Sequence, residues 1–351
     1  MAYLYFKNID IEGIAACVPQ NAVSNREFTS LLSLNELEKT IKATGIAHRR
    51  VAENHHCTSD FCYMAANKLM QELDVDKKTI DVIIFITQTP DYRIPATAAI
   101  LQHKLGLSKT VAAFDINLGC TGYVYGLATA FLYASHPTIN KVLLLVGDTV
   151  TKFVNNLDRS SALLFGDGGS ATIIDKKEEM PAGFFSLNTD GAGEDVIKIK
   201  AGGYRFPSSM ATITEKTDDS GNTRNDEQLS MNGADVFNFA INEVPKDILG
   251  LIAYAGTTLD QVDYIVYHQA NKFIIDYLTK KLKFQQDKVP YSLDRFGNTS
   301  SLSIPLTIVT ELKEKLKTTR QIILSGFGVG LSWSTALINL SPCHICDLIE
   351  I

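Results

Sequence analysis

Ala113-Phe-Asp-Ile-Asn-Leu-Gly-Cys-Thr-Gly-Tyr-Val-Tyr-Gly-Leu-Ala-Thr-Ala130 reads as a strand, a glycine-framed turn and a helix. Val111 to Ile116 is an apolar, strand-like run, and Gly119 and Gly122 bracket Cys120. From Tyr123 onward, Gly126, Leu127, Thr129, Ala130 and Leu132 recur at helical spacing. Cys120 therefore stands where a strand hands over to a helix N-terminus. Unpaired N–H groups and the positive end of a helix dipole lower a thiol pKa, so a thiolate nucleophile is one expectation. A small buried core cysteine in a tight turn is the other.

Outward from this stretch, strands and amphipathic helices alternate. Lys7 to Cys17 reads as a first strand, and Asn25 as the cap of a helical stretch running to Thr44. His55-His56-Cys57 reads as a solvated loop before a helix from Ser59, its cap, to Leu73. Val82–Ile86 and Val142–Val146 are continuous apolar runs, the mark of strands buried on both faces. A helix spans Thr97 to Leu105, and Ser161 to Ile174 holds the glycine-dense Phe165-Gly-Asp-Gly-Gly169 between two strand-like runs. Residues 202–230, rich in Gly, Ser, Thr, Asp and Asn, read as an excursion loop that caps something. Helical spacing resumes from Gly233 to Leu251, and Tyr264–Tyr267 is a further buried strand.

A faint repeat runs through the chain. Asp81-Val-Ile-Ile-Phe-Ile-Thr-Gln-Thr-Pro90 resembles Val262-Asp-Tyr-Ile-Val-Tyr-His-Gln-Ala-Asn271, and Val142-Leu-Leu-Leu-Val-Gly147 resembles Gln321-Ile-Ile-Leu-Ser-Gly326. Two similar α/β units in layers of helix and sheet explain the pattern, one carrying Cys120 (1–180) and one following it (181–351). In such sheets functional groups gather at strand ends. His268 ends a strand, and Asn298, in Arg295-Phe-Gly-Asn-Thr-Ser-Ser-Leu-Ser303, occupies the repeat position of Cys120 at a strand-to-helix turn. A core histidine and a helix cap are the plainer readings of these two. Together the three suit acyl transfer to a thiol, and enolate stabilisation by a neutral imidazole and an amide, without a carboxylate base.

The 351 residues are 45% hydrophobic and 21% charged, an ordinary globular balance, and the formal net charge is -6. No long basic block favours nucleic acid, and no apolar run approaches the ~20 residues of a membrane span. The N-terminus lacks a signal-peptide pattern, and the cysteines at 17, 57, 62, 120, 343 and 346 are too sparse for a disulfide scaffold, which fits a reducing cytoplasm. Cys343-His-Ile-Cys346 is a lone C-x-x-C without a second ligand pair, so no metal is expected there.

Five stretches in order resemble the β-ketoacyl-acyl carrier protein synthase III family of the thiolase superfamily. They are Asp115–Gly126, Phe165-Gly-Asp-Gly168, His268-Gln-Ala-Asn271, Gly297-Asn-Thr-Ser300 and Gly326-Phe-Gly-Val-Gly-Leu-Ser-Trp333. The resemblance implies a duplicated, five-layered αβαβα thiolase-like fold with two mixed sheets, a homodimer, and a Cys120–His268–Asn298 triad. It implies an acyl primer carried to Cys120 by coenzyme A, condensation with a malonyl-acyl carrier protein in fatty acid biosynthesis, and no resident cofactor. The oxyanion would be held by the backbone N–H groups of Cys120 and Val329. Thiolases carry a second cysteine where this chain has Gly326-Phe-Gly-Val-Gly330. Hydroxymethylglutaryl-CoA synthases carry a glutamate where it has Thr87-Gln-Thr-Pro-Asp91, and elongating synthases a second histidine where it has Asn298.

The resemblance also frames the substrate contacts, among them Asn271 in the third motif. Arg159 matches the family's adenine-stacking arginine, whereas the partner tryptophan is replaced by Lys39. Ile94 replaces a pocket-wall phenylalanine before Pro95, which suggests a longer, branched or unusual primer. Lys272, Lys280, Lys281 and Lys283 are available to an acidic carrier protein, while Phe273 and Asn238 stand where relatives place Arg and Lys. Two other readings stay open. One is an acyltransferase that passes the acyl group to a hydroxyl or amine of a sugar or specialised metabolite. The other is a non-catalytic partner subunit.

Overall fold

A computed structural model describes residues 2–340 and 342–351; Met1 and Ser341 lie outside it. The first sheet is built from β2 (Ile9–Val18), β3 (Ile80–Ile86), β4 (Ala112–Ile116), β5 (Lys141–Asp148) and β6 (Gly168–Lys176). The second comprises β1 (Ala2–Phe6), β7 (Gly183–Thr189), β8 (Tyr264–Tyr267), β9 (Arg320–Gly328) and β10 (Ser332–Leu340). Two short tail strands, β11 (His344–Ile345) and β12 (Ile349–Glu350), complete the first sheet beside β2.

The order of the first sheet is β11-β2-β6-β5-β3-β4, and that of the second is β1-β7-β10-β9-β8. The two are mixed in the same way. β3 runs parallel to β5 and β8 parallel to β9, while β5/β6, β6/β2, β9/β10 and β10/β7 are antiparallel. A boundary at residue 180 does not part the sheets cleanly. β1 pairs with β7 across it, and the tail returns to β2, because each sheet edge is completed by the opposite end of the chain.

Alternation along the strands explains the five layers. Val82, Ile84 and Ile86 face the interior between the sheets, with Leu144, Leu324 and Ala336. Helix α4 (Gly122–Ala134) fills that interior with Val124, Leu127 and Phe131. It is joined by α7 (Ser303–Thr307), through Ile304 and Leu306. Ile83, Phe85, Leu143 and Leu145 face outward against α2 (Thr58–Glu72) and α3 (Thr97–Lys104). On the far side Ile265, Tyr267, Ile323 and Leu337 pack against α5 (Gly233–Ala255) and α6 (Lys272–Lys281). Burial of both strand faces is why these runs are apolar throughout.

Some local expectations change. Asn25 does not cap a helix; it is buried, donating to the carbonyls of Ile46 and Leu163 and accepting from Arg49 Nε. The helix α1 (Leu34–Thr44) is capped instead by Ser33, in a reciprocal box with Glu36. Cys57, not Ser59, is the N-cap of α2, and Ser59 donates to Asp91. Residues 161–164 are turns and Phe165 forms only a single bridge, so only the second half of the Ser161–Ile174 run is a strand. The excursion forms one short hairpin, 216–217 with 223–224, and a one-turn helix, Met210–Ile213, and its base is closed where 197–198 pair with 230–231.

Candidate active site

One cavity gathers the three residues. Cys120, His268 and Asn298 all line it, together with Phe327, Gly328 and Val329. Its walls are apolar: Val150, Phe153, Leu164 and Phe165 come from the first half, Val236 and Ile274 from α5 and α6, Leu229 from the excursion and Met231 from the residue just beyond it. The excursion therefore caps this cavity. Among the described residues, no helix is long and apolar enough to cross a membrane.

Close backbone approach shapes the turn at Cys120. A Cβ on Gly328 would lie 2.7 Å from Cys120 Cβ and 2.8 Å from Sγ. Gly326 similarly leaves room for the Cys120 carbonyl and Thr121 Cα. The Gly326–Gly330 motif is glycine-rich because it lies against the cysteine turn. Ser332 Oγ donates to the Val329 carbonyl at 2.8 Å, while the Val329 and Cys120 N–H groups interact with the thiol. Those N–H groups and the Ser300 side chain pull the thiol pKa down, but burial, and secondarily Asp148, push it up to about 11. The expected net lowering at the helix N-terminus does not occur, because desolvation of the thiolate outweighs the few dipoles aimed at it.

His268 follows β8 directly, and its backbone N–H donates to the Ser325 carbonyl at 2.7 Å. Its Nδ1 pairs with Ser303 Oγ at 2.8 Å, which leaves Nε2 as the ring nitrogen for the cavity. Phe327 stands edge-on to the ring, centroids 5.5 Å apart. Burial lowers its pKa to about 3, against a smaller opposing effect of the Ser300 backbone, so the imidazole is neutral.

Asn298 does not stand at a simple strand-to-helix turn. A one-turn helix, Leu293–Phe296, precedes it, and it forms an isolated parallel bridge with Phe165. Its N–H donates to the Leu164 carbonyl and its carbonyl accepts from Gly166. A Cβ on Gly166 would fall 2.0 Å from the Phe296 carbonyl, which accounts for the Phe165-Gly-Asp-Gly168 glycine. Asp167 fixes the same turn by accepting from Ala52 and Thr151. The side-chain Oδ1 of Asn298 accepts from the Ser300 N–H, so its amide N–H₂ is the group left to donate. A thiol, a neutral imidazole and an amide donor can together take up an acyl group and stabilise a developing enolate.

Comparison with known proteins decides the family. Residues 114–193 match the sequence profile for 3-oxoacyl-[acyl-carrier-protein (ACP)] synthase III, and residues 252–340 match the profile for its C-terminal part. A beta-ketoacyl-[acyl-carrier-protein] synthase III of Clostridium novyi is 36% identical, over 95% of this chain and 99% of that one. The chain belongs to the 3-oxoacyl-[acyl-carrier-protein] synthase III family. A synthase III of Desulfitobacterium hafniense is 32% identical over 95% of this chain and 98% of its own length. The crystal structure of a 3-oxoacyl-(acyl-carrier protein) synthase from Burkholderia xenovorans LB400 superposes with a TM-score of 0.93 at 37% identity, covering 100% of this chain and 99% of that one. This synthase III chain is an acyl-transferring condensing enzyme with the thiolase fold.

The remaining expected contacts divide. Asn271 caps α6 by accepting from the Ile274 N–H and lines the cavity. Arg159 is exposed and outside the lining; with Lys39 it lies close enough to Glu36 to lower that carboxyl slightly, after the larger effect of Ser33. Ile94 is not a wall of its own chain's cavity. It is 84% exposed, because the loop after β3 projects it away from the molecule. Lys272 pairs with Asp276 at 2.5 Å and Lys281 donates to the Ile241 carbonyl at 2.7 Å. Phe273 stacks on Phe237, centroids 5.1 Å apart, and Tyr277 meets that ring edge-on, so the helix face beside these lysines is aromatic.

Sequence reasoning passed over Ser300, Ser303, Gln88 and Asp148. The signal was present in Thr299-Ser-Ser-Leu-Ser303, a hydroxyl-rich run that is buried throughout. Asp148 is buried, accepting from the Gln88 N–H at 2.7 Å and from Ser301 Oγ at 2.7 Å, and so ties the loop after β3 to the Asn298 turn.

Proposed function

We propose that Cys120 takes an acyl group from an acyl-coenzyme A primer and that a malonyl-acyl carrier protein then extends it to a 3-oxoacyl thioester. In the first step the Cys120 sulfur attacks the thioester carbonyl, and coenzyme A leaves with the thiol proton. In the second, the bond to the malonyl carboxylate breaks, CO₂ departs and the electron pair becomes a thioester enolate. Nε2–H of His268 and the amide of Asn298 donate to that enolate. Its carbon attacks the acyl-Cys120 carbonyl, and the sulfur leaves and regains a proton. The N–H groups of Cys120 and Val329 hold the oxyanion in each acyl transfer. Ser303 donates to Nδ1 and so keeps the imidazole proton on Nε2. CoA and carrier thioesters are substrates in this scheme, and no resident cofactor or metal takes part.

The convergence of Cys120, His268 and Asn298 on one apolar cavity carries the proposal. The test is intact mass after exposure to a panel of acyl thioesters. Adducts should form on the native chain, vanish in Cys120→Ala, and be discharged as 3-oxoacyl product when malonyl-carrier protein is added. Adducts that persist in Cys120→Ala would overturn it.

Finer points rest on the same reading. The long apolar wall supports a longer or branched primer over acetyl, and an acetyl donor that outcompetes all others would exclude this. The exposure of Tyr92, Ile94, Tyr204, Phe206 and Met210, with Arg93 over the Tyr204 ring at 5.8 Å, supports burial of these apolar side chains against a second copy of the chain in a cytoplasmic homodimer. Sedimentation should show dimers that Ile94→Asp dissociates. A monomeric native chain would exclude the dimer. Lys280 and Lys281 would meet an acidic carrier protein with Lys272 nearer the cavity. Lys280→Glu should therefore raise KM for the carrier substrate about tenfold in low salt and leave CoA-dependent acylation unchanged.

A further inference from the structure

The tail that joins the first sheet holds a cluster that the condensation does not use. His344 pairs with Gly13 of β2, and the Cys346 N–H donates to the Ile14 carbonyl at 3.1 Å. Side chains alternate along such a segment. Cys346 packs in the outer layer with α2, whereas Cys343 packs toward the interior between the sheets. The C-x-x-C pair therefore points two ways and is no chelate. His344 and Cys346 share a side, and that side meets the last turn of α2.

The approach is close because residue 13 is glycine. A Cβ there would lie 2.8 Å from Leu69 Cδ1, 2.9 Å from Leu73 Cδ1 and 3.0 Å from the His344 carbonyl oxygen. Glu72, the final residue of α2, thus reaches both tail residues. Its Oε2 is 2.7 Å from His344 Nε2, and its carboxylate also accepts from the Cys346 thiol. One donor atom from each of Glu72, His344 and Cys346 lies within 4.8 Å of the others.

We propose that Glu72, His344 and Cys346 form a binding site for a thiophilic divalent metal ion, with zinc the best match to the donors. A carboxylate, an imidazole and a thiolate are zinc's usual ligands, while magnesium and calcium take oxygen only. The carbonyl end of α2 adds a favourable dipole for a cation. Lys68, 3.7 Å from Glu72, now pairs with that carboxylate and is exposed enough to swing aside. On binding, the Cys346 thiol proton leaves to solvent, and the His344 proton moves to Nδ1 so that the Nε2 lone pair meets the metal. Water completes the tetrahedron. The site sits a full helix length, roughly 20 Å, from Thr58 at the other end of α2. It braces the tail against the first sheet and takes no part in the reaction.

The test uses the full chain with Cys120→Ala, so that the cavity thiol cannot bind metal. Zinc titrated against a chromophoric chelator should give one site per chain and release one proton per zinc. Cys346→Ser, His344→Ala and Glu72→Gln should each weaken zinc by about tenfold or more, and Cys343→Ser should not. Co²⁺ should give a near-ultraviolet thiolate charge-transfer band that Cys346→Ser removes. Glu72 is exposed, so its variant guards against misfolding of the others. Zinc affinity unaltered in Cys346→Ser and Glu72→Gln, a cobalt band that survives Cys346→Ser, or equal loss in Cys343→Ser would overturn the proposal.

Discussion

The Ser300 backbone N–H donates to Asn298 Oδ1 across 2.9 Å, which occupies the amide's acceptor and leaves its two N–H donors for the cavity. The orientation of Asn298 is thus set by a backbone group two residues on, in a residue held at φ 51°. A donor fixed in this way needs no reorganisation as negative charge develops on a substrate oxygen.

Asn298→Ala removes that donor and leaves Cys120 untouched. Acylation of Cys120, followed by intact mass, should stay within about twofold, while malonyl decarboxylation falls by about 100-fold or more. Equal losses in both steps would mean that Asn298 maintains the site's shape and does not act on the enolate.

The pH dependence of decarboxylation should lack an imidazole limb. His268 is lowered from 6.5 to about 3 by burial, so it stays neutral through the range where an ordinary histidine protonates. The rate for acylated enzyme should be flat from pH 5 to 7, and an inflection near 6.5 would contradict a neutral donor. For stability the sign is that of a depressed group. The contribution is present above pH 6.5 and lost as pH falls toward 3. His268→Ala should therefore flatten the acid side of the melting-temperature profile.

The thiol moves the other way. Cys120 is raised from 9.0 to about 11, so its alkylation by iodoacetamide should keep accelerating above pH 9. Its stability contribution is present below pH 9 and lost as pH rises through 11. Asp148 is the second cause of the raised value, and Asp148→Asn removes its charge while keeping an acceptor for the Gln88 N–H. Alkylation at pH 8 should then quicken several-fold, since one pKa unit is about tenfold in thiolate. A slower rate would show that the hydrogen-bond network, not the charge, governs the thiol.

Two glycines should fail differently. Gly328→Ala puts a methyl group 2.8 Å from Cys120 Sγ. It should cut acylation by about 100-fold, because the nucleophile is displaced from its productive geometry. Gly166→Ala meets the Phe296 carbonyl oxygen at 2.0 Å, backbone that cannot yield easily. It should destabilise the chain by about 3 kcal/mol or more in denaturant melts. Wild-type acylation in Gly328→Ala would remove the case for close packing as the reason for that glycine.

What the sequence alone determined were the features carried by short spans. The continuous apolar runs announced strands buried on both faces, since alternation lets Ile83 and Ile84 serve different layers. The turn at Cys120, the strand end at His268 and the motif order carried the family. Tertiary structure decided whatever depends on partners far apart in the chain. The thiol rises because burial and Asp148 outweigh its helix end, Asn298 faces the cavity because Ser300 and the 164–166 turn clamp it, and Ile94 points outward from its own chain. The two short strands of the tail draw their order from β2, more than three hundred residues earlier in the chain. Local patterns report which face of an element is buried; they carry no information about which distant backbone atom, charge or sheet edge it will be buried against.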